Sequence, residues 1–199
     1  MEEVLAQAEE EDFRGDAAMV VAECKTTGRI LGSMRLITNL HEPLLIESMV
    51  TLPPQFHSKV LLEAWRLTVR PGTEGRMVTS ALYKVLYEAC WHARIDHILV
   101  VARNPVDRLY RAMQFKDAID GKKITLSNTL ALPHGLYYLP VQEADALWLQ
   151  AACPLYRFMA GTHHPDIEVD YAEVNRRFHR PSTYPVDAVL QHMLSAHHA

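Results

Sequence analysis

A chain of 199 residues with 49% hydrophobic and 22% charged side chains has the composition of a globular protein and enough length for one substantial domain. No apolar run approaches the roughly 18 residues that a membrane span needs. The acidic beginning, MEEVLAQAEEEDF, is unlike a signal peptide. We therefore expect a cytoplasmic protein without stable membrane insertion.

The cysteines and histidines predict neither a disulfide framework nor a metal site. The three cysteines lie far apart and are odd in number. His163-His164 and His197-His198 are adjacent pairs, which lack the helical spacing of paired metal ligands. We expect no metal and no permanently bound cofactor.

The first half of the chain predicts a hairpin, a central strand and a helix. AAMVVAEC and RILGSMRLI read as antiparallel strands joined by the turn KTTG. LLIESMVTL is either another strand or a short connecting element, and it ends at Pro53-Pro54. VLLEAWRLTV is apolar on both faces, as expected of a central strand. After RPGTEG, apolar residues at i, i+3 and i+4 predict a helix with one buried face, namely Leu82, Val85, Leu86, Ala89, Cys90 and Ala93.

The second half predicts further strands and helices. HILVVA reads as a buried strand, and Asn104-Pro105 begins a second helix, PVDRLYRAMQF. LPHGLYYLPV predicts one more strand, EADALWLQAACPLYRFMA a helix, THHPDIEVD a loop, and the C-terminus further helices. This order predicts an α/β (α+β) fold with a mixed sheet and flanking helices. We divide the chain into a core, residues 1–142, and a helical extension, residues 143–199, packed on the same domain.

The net charge of −4 is unevenly distributed along the chain. Residues 66–123 carry a balance of +5, and the remainder carries −9. A basic middle in an acidic chain favours an anionic ligand or partner there, although scattered solvated charge explains the count equally well. We expect no nucleic-acid partner, since the whole chain is acidic and lacks a recognised binding motif.

Two stretches carry a resemblance to a known superfamily. LTVRPGTEGRMVTSAL resembles the acyl-donor loop of the GCN5-related N-acetyltransferases, V-x-P-x-x-R-G-x-G-x-x-x-x-L. NPVDRLYRAMQF is similar to their helix N-x-x-A-x-x-L-Y-x-x-x-G-F, with Gln114 at the glycine position. The matching residues are Val69, Pro71, Gly75 and Leu82 in the loop, and Asn104, Leu109, Tyr110 and Phe115 in the helix. The resemblance spans residues 17–118 and implies a central strand pair that splays apart.

Departures in the loop favour one branch of that superfamily. Glu74 takes the usual arginine position and Met77 a usual glycine position, which weakens binding of the coenzyme A pyrophosphate. One branch of the superfamily takes acyl groups from acyl carrier protein, and this donor presents only one phosphodiester to the loop. The acyl-homoserine-lactone synthases and long-chain N-acyl amino acid synthases of this branch have a G-x-x-R-L strand and an E-x-x-R signature. Here these are Gly32, Arg35 and Leu36, and Glu63 with Arg66.

Two further features bear on this resemblance. CPLYRFMAGTHHPDIEVD is similar to the N-acyl amino acid synthases in particular. Those relatives have an N-terminal helical segment rich in arginine and aromatic residues, whereas about 16 residues precede the first strand here. Asp12 or Asp16 corresponds to an acidic motif of the synthases, and the loose spacing does not decide between them.

The resemblance implies two catalytic side chains. An amino acid's α-amine attacks a fatty acyl thioester, and this amine is mostly protonated at neutral pH, so a base must first take a proton. Glu63 is the candidate base, with a structural carboxylate paired to Arg66 as the alternative. Tyr110 matches the general acid that protonates the departing thiolate, with a packed tyrosine on an amphipathic helix as the alternative.

The resemblance also implies residues that bind the acceptor. Arg35 and Arg66 would hold its carboxylate in a bidentate contact, unless both are structural ion-pair arginines. The acyl chain needs a long apolar slot, and its candidate residues, unless they are core residues, are Met34, Leu36, Met49, Trp65, Leu99 and Val101. Glu63 and Arg66 are three residues apart, so strict alternation places them on opposite faces of a strand. We therefore predict a β-bulge between them.

The splayed strand implies the donor site. Its backbone amides hold the pantetheine arm like an added strand, and one of them stabilises the oxyanion. Candidate donor-binding residues are Leu67, Thr68, Val69, Arg70, Gly72, Gly75, Arg76 and Asn104. A basic patch near the donor end would steer an acidic carrier protein; it comprises Arg70, Arg76, Arg103, Arg108, Arg111, Lys116, Lys122 and Lys123.

The leading interpretation is an N-acyl amino acid synthase dependent on acyl carrier protein, whose acyl-phosphopantetheine is the donor substrate. It would transfer a long-chain fatty acyl group to the α-amine of an amino acid such as tyrosine. Three alternatives stay open: an acyl-homoserine-lactone synthase, a coenzyme A-dependent N-acetyltransferase, and a non-catalytic module that binds carrier protein or lipid.

Overall fold

The computed structural model describes residues 9–72, 74–126 and 132–179. These residues form the strands β1 (Ala17–Glu23), β2 (Ile30–Thr38), β3 (Leu61–Val69), β4 (His97–Ala102), β5 (Lys116–Asp117), β6 (Ile124–Thr125) and β7 (Pro133–Pro140). They also form the helices α1 (Gly75–His92), α2 (Val106–Ala112), α3 (Ala144–Gln150), α4 (Tyr156–Met159) and α5 (Tyr171–Phe178).

The strands form a mixed sheet in the order β1-β2-β3-β4-β7-β5, and β6 also pairs with β7. The predicted hairpin is confirmed, because β1 and β2 pair antiparallel from Ala17 and Ile37 to the turn. β3 and β4 are parallel, and α1 makes the crossover between them. The predicted mixed α/β fold with flanking helices is therefore confirmed.

Each face of the sheet covers its own apolar core. The face under α1 buries the even-numbered residues Met34, Leu36, Leu62 and Ala64, and Trp148 and Phe178 join the same core from α3 and α5. The opposite face, which we call the acceptor face, buries a second cluster that includes Ile37, Leu61 and Leu99.

Gly32 allows the close approach of α1 to the sheet. A Cβ atom at this position would lie 2.9 Å from both the Thr68 carbonyl oxygen and a Val78 methyl group. Real Cβ atoms do not come so near to such neighbours, so the first turns of α1 need glycine on β2. This explains the glycine of the G-x-x-R-L pattern in packing terms.

Three elements differ from the prediction or resolve it. LLIESMVTL is a connecting element, a 3₁₀ turn over Leu45–Ser48, and not a strand. α2 ends at Ala112 because Gln114 adopts a φ of +64°, a conformation that favours glycine and ends helices. The segment predicted as one helix from Glu143 is split into α3 and α4 where Pro154 removes a backbone donor.

The C-terminal helices pack on α1 through a buried lysine. Lys84 of α1 is 2% exposed, donates to the Met159 carbonyl oxygen at 3.2 Å and pairs with Glu88 at 2.7 Å. The predicted loop THHPDIEVD is confirmed between α4 and α5. The helices expected in the last twenty residues, 180–199, lie outside the described residues.

Candidate active site

The parallel strands β3 and β4 separate halfway along their length. They pair from Leu61 and His97 to Ala64 and Val100, and β3 then continues to Val69 without a paired β4 residue in the described part of the chain. The backbone of residues 65–69 therefore faces an opening. This confirms the splayed strand pair, and a thioester arm can add to such an edge through hydrogen bonds to main-chain amides.

The predicted β-bulge is present at Arg66, inside this opening. Arg35 pairs with Trp65, but Ser33 pairs with Thr68, so β3 contains one residue more than β2 over this span. Arg66 adopts a φ of +52°, which is uncommon for a residue with a side chain. Such strained backbone is frequent at functional sites.

The bulge places both arginines on the acceptor face beside one tryptophan. The Arg35 and Arg66 guanidinium carbons lie 5.4 and 5.6 Å from the centre of the Trp65 ring, within the range of cation–π contacts. We call Arg35, Trp65 and Arg66 the arginine clamp. Glu63 lies on the same face of β3, two residues before Trp65 and so about 7 Å along the strand.

Two carboxylates of the N-terminal turn bind this arginine clamp. The Glu9 carboxylate accepts from Arg35 at 3.1 Å and also binds Arg66, so it bridges both guanidinium groups. Asp12 binds Arg35 at 2.7 Å. Of the two acidic candidates, Asp12 thus reaches the clamp, whereas Asp16 is buried and paired with Arg14 at 2.9 Å.

Glu63 is a buried carboxylate held by backbone rather than by an arginine. It is 5% exposed and accepts from the Ile46 N–H at 3.1 Å, in the 3₁₀ turn. Arg66 pairs with Glu9 instead, so the structural pairing of Glu63 with Arg66 is absent from the described contacts. Burial raises the pKa of Glu63 to about 7, although hydrogen bonds from the backbone oppose this. A carboxylate with this pKa is poised to accept a proton at neutral pH.

A broad polar cavity opens between the N-terminal turn and the 3₁₀ turn that binds Glu63. Its volume is about 870 Å³, and its walls include Glu10, Phe13, Arg14, Leu44 and Glu47. Its lining includes Leu45, the residue before the Ile46 N–H that binds Glu63, but neither Glu63 nor the arginine clamp.

Tyr110 lies on α2 on the other side of the sheet. It is 5% exposed, and its ring packs edge-on against Tyr83 of α1 at 5.7 Å. Burial raises the pKa of Tyr110, so its hydroxyl keeps its proton at neutral pH, as a general acid requires. The Tyr83 hydroxyl beside it is buried, and its interaction with Tyr110 opposes part of this rise in the pKa of Tyr110.

The donor loop combines two glycines and a helix N-terminus with an acidic residue. Gly72 has a φ of +149°, which is open to glycine and strained for other residues. Gly75 begins α1, whose dipole favours an anion at this end, and the Gly75 N–H itself donates to the Gly72 carbonyl oxygen at 3.2 Å. Glu74 is at the N-cap, where the resemblance predicts arginine, and Met77 is exposed, where it predicts glycine.

Two further predicted donor-binding residues lie near this loop. Asn104 is exposed after β4, and Arg70 donates to the Ile30 carbonyl oxygen at 2.7 Å.

Two members of the basic patch, Arg70 and Arg103, lie at the carboxyl ends of β3 and β4, whereas Lys116 is on β5, opposite Tyr138, and pairs with Glu143 at 3.7 Å. Arg70 and Arg103 follow these two strands, and carboxyl ends of parallel strands share one edge of a sheet. All members of the patch are exposed. An acidic partner that docks at this edge meets the donor loop.

The sheet separates Met34 from the other predicted substrate-binding residues. Met34 is 1% exposed under α1, whereas Arg35 and Trp65 are on the acceptor face. The structure brings Arg35, Glu63, Trp65 and Arg66 together and leaves Met34 and Tyr110 on the α1 side. An apolar cavity of about 440 Å³ lies on that side between β1, α1 and α5, with Ala18 and Leu36 in its walls.

Sequence reasoning missed Glu9 and the backbone partner of Glu63. Glu9 lies 57 residues from Arg66 in the chain, and no spacing rule connects them. The acidic run before β1 could have predicted this contact, because two arginines on one face of a sheet need negative partners.

Neither a metal cluster nor a membrane span is present in the described residues. Over residues 9–72, 74–126 and 132–179, no group of three or more His, Cys, Asp or Glu side chains is arranged to hold a metal ion. Among these same residues, helices are too short or too polar to cross a bilayer.

Comparison with known proteins identifies the relatives of this site. Residues 3–136 match the family model described as N-acyl amino acid synthase FeeM, and that range includes the arginine clamp and Glu63 but ends before the stretch CPLYRFMAGTHHPDIEVD. No curated protein matches the chain.

Solved structures share the fold at low sequence identity. FeeM from uncultured soil microbes is 14% identical over 68% of this chain and 79% of its own, with a TM-score of 0.55. The coenzyme A-dependent acyl-homoserine lactone synthase MesI is 20% identical over 82% and 77%, with a TM-score of 0.55. TofI in an apo form is 17% identical over 75% and 79%, also with a TM-score of 0.55.

Proposed function

Since this chain belongs to the N-acyl amino acid synthase family and is an N-acyltransferase, we propose that it transfers a long-chain fatty acyl group from acyl carrier protein to the α-amine of an amino acid. One observation carries this proposal. A buried carboxylate with a pKa of about 7 lies where β3 and β4 separate, on the same face as the arginine clamp. We expect the reaction in the cytoplasm.

The proposed reaction has three steps. The acceptor carboxylate binds the arginine clamp, and Glu63 takes a proton from the α-ammonium, directly or through water. The neutral amine attacks the thioester carbonyl, and a backbone N–H of residues 67–69 stabilises the oxyanion. The C–S bond then breaks and leaves the amide, and the second nitrogen proton passes to the pantetheine thiolate through water or through Tyr110, which takes up a proton as it gives one. Glu63 returns its own proton to solvent.

The acceptor class follows from the clamp. A guanidinium matches a carboxylate with two parallel hydrogen bonds, and the clamp offers two guanidinium groups beside one aromatic ring. An aromatic amino acid such as tyrosine fits because its ring can stack on Trp65 while its carboxylate meets the arginines.

The donor loop supports carrier protein over coenzyme A. Glu74 puts a negative charge at the start of α1, where a pyrophosphate would lie, and Met77 occupies space that a smaller residue would leave open. A single phosphodiester meets less repulsion there. The basic patch supplies the opposite charge for an acidic partner.

For the acyl chain we propose the apolar cavity on the α1 side. Ala64, the last β3 residue paired with β4, is opposite Leu36, and Leu36 is opposite Ala18. This row crosses from the opening to the cavity in about 10 Å, two strand spacings. Replacing Ala18 with Phe should shorten the acyl chains of the product, whereas Ala172→Phe, on an exposed part of α5, should not.

Mass spectrometry of organic extracts tests the function. A host expressing the chain should accumulate a fatty acyl amide that is absent from the empty-vector control. Glu63→Gln should abolish it, and Glu143→Gln, an exposed carboxylate, should leave it unchanged. Soluble protein without any such amide, and without acyl transfer from purified acyl carrier protein in vitro, would refute the proposal.

A further inference from the structure

The arginine clamp already holds a carboxylate, and this carboxylate belongs to the protein. Glu9 bridges Arg35 and Arg66, and this bidentate geometry is the one expected for the carboxylate of the acceptor. We propose that Glu9 occupies the acceptor's carboxylate position, so that the amino acid must displace Glu9 and this residue sets the acceptor affinity. The inference rests on the proposed function of the clamp.

The turn that carries Glu9 is weakly attached to the rest of the fold. Residues Glu10–Phe13 form a single 3₁₀ turn without a buried residue, and the Phe13 side chain is 80% exposed. Segments with few buried contacts open at low free-energy cost. The ion pairs of Glu9 and Asp12 with the clamp are the polar links described between this turn and the sheet.

Immediately after the turn, the chain is firmly anchored. Arg14 pairs with the fully buried Asp16 and donates to the carbonyl oxygens of Thr38, Glu42 and Pro43 at 2.7, 3.0 and 2.8 Å. The Glu9 side chain can therefore leave the clamp without disturbing Arg14, β1 or β2.

Glu9 and Asp12 differ in how easily each carboxylate can leave the arginine clamp. Of the two arginines Asp12 binds Arg35 alone, at 2.7 Å, and the Arg35 side chain is 12% exposed. Asp12 also accepts from the Glu9 backbone N–H at 2.9 Å, which holds its carboxylate in place. Glu9 spans to Arg66, whose side chain is 43% exposed, so water and substrate reach that end of the clamp. Asp12 is accordingly a positioning residue for Arg35, and Glu9 is the group that leaves.

Displacement also frees the clamp for the substrate. When the Glu9 side chain leaves, Asp12 stays on Arg35, and the Arg66 guanidinium is open to the acceptor. The acceptor can then place its carboxylate on the arginines and its amine toward Glu63.

The test compares Glu9→Gln with Glu10→Gln, which removes an equal charge from the neighbouring exposed residue. Glutamine cannot form the charged bridge, so Glu9→Gln should lower the KM for L-tyrosine about five- to tenfold with kcat within twofold. Glu10→Gln should change the KM by less than twofold. L-tyrosinamide lacks the carboxylate, and its KM should be the same in all three proteins.

Calorimetric titration with L-tyrosine gives a readout that does not need turnover, and Glu9→Gln should bind it five- to tenfold more tightly than the unaltered chain. An unchanged or weakened affinity of Glu9→Gln, with an unfolding midpoint like that of the unaltered chain, would overturn the inference. So would an equal gain in Glu10→Gln. If no amino acid is acylated at all, the proposed function fails, while tighter binding in Glu9→Gln alone would still support the carboxylate exchange.

Discussion

Replacing Glu63 with glutamine should remove activity and at the same time stabilise the protein above neutral pH. Burial raises the pKa of Glu63 to about 7, whereas a glutamate in an unfolded chain titrates near 4.3. Between these values the unfolded state has lost the proton that the folded state keeps. The stability of the unaltered chain therefore falls as pH rises through this window, and this loss is complete above about pH 7.

The size of the effect follows from the same numbers. A rise of the Glu63 pKa from 4.5 to about 7 on folding corresponds to about 3 kcal/mol of folding free energy. Because Glu63 is 5% exposed, solvent screening reduces this little. Between pH 5 and pH 8 the stability of Glu63→Gln should rise relative to the unaltered chain by about 2 to 3 kcal/mol, or roughly 4 to 12 °C in unfolding midpoint.

Urea unfolding of both proteins at pH 5 and pH 8 measures this difference. Glu143→Gln, at an exposed carboxylate, should follow the unaltered chain at both pH values. In the unaltered enzyme kcat/KM should rise about tenfold per pH unit below pH 7 and level off above it. If the stability curves of Glu63→Gln and the unaltered chain run parallel from pH 5 to pH 8, Glu63 has an ordinary pKa and the argument for a base at this position is wrong.

Three further substitutions test the clamp, the donor loop and the packing of α1. Arg35→Lys should raise the acceptor KM about tenfold with circular dichroism unchanged, because lysine loses the bidentate contact and the stacking on Trp65. Glu74→Arg with Met77→Gly should increase kcat/KM for acyl-coenzyme A about tenfold without a similar gain for acyl carrier protein. Gly32→Ala should cost about 2 kcal/mol in urea unfolding, because its methyl group meets Val78 at 2.9 Å.

For each of these three predictions, one experimental result would contradict it. An Arg35→Lys enzyme with an unchanged KM would make Arg35 a structural ion-pair arginine. Equal effects on both donors in the Glu74 and Met77 variant would mean that the loop does not select between them. Full stability of Gly32→Ala would show that α1 can move away from β2 at no cost.

Local patterns were enough to predict most of the fold. The β1–β2 hairpin, β3, α1 and β4 each have a two-residue or helical period that the backbone imposes on buried residues. The bulge was also predictable, since Glu63 and Arg66 can share a face of β3 only if the strand contains an extra residue between paired positions.

The remaining features depend on tertiary contacts that no local pattern encodes. LLIESMVTL has the composition of a strand, yet it forms the 3₁₀ turn that binds Glu63. The pKa of Glu63 follows from how completely that turn and β4 exclude water, which composition does not specify. The contact of Glu9 with Arg66 joins residues far apart in sequence, and the choice of Glu9 over its acidic neighbours is set by the geometry of one turn.

The proposed exchange of carboxylates at the clamp would also keep the pKa of Glu63 near 7, because the charge of the two arginines stays balanced. Glu47 raises the pKa of Glu63 and Arg14 lowers it, but burial is the largest cause. Arg35 and Arg66 are neutralised by Asp12 and Glu9, and an incoming acceptor carboxylate would replace the charge of Glu9 one for one.

Removing the Glu9 charge breaks this balance and gives a testable result. A positive charge on the order of 10 Å from Glu63 would favour its ionised form by about 1 kcal/mol at an effective dielectric near 20 with partial screening. In Glu9→Gln the pKa seen in the kcat/KM profile should therefore fall by about half a unit to one unit, while Glu10→Gln keeps the value of the unaltered enzyme. An unshifted profile in Glu9→Gln would mean that the clamp and the base do not sense each other, and that the charge balance at the clamp has no part in setting the base.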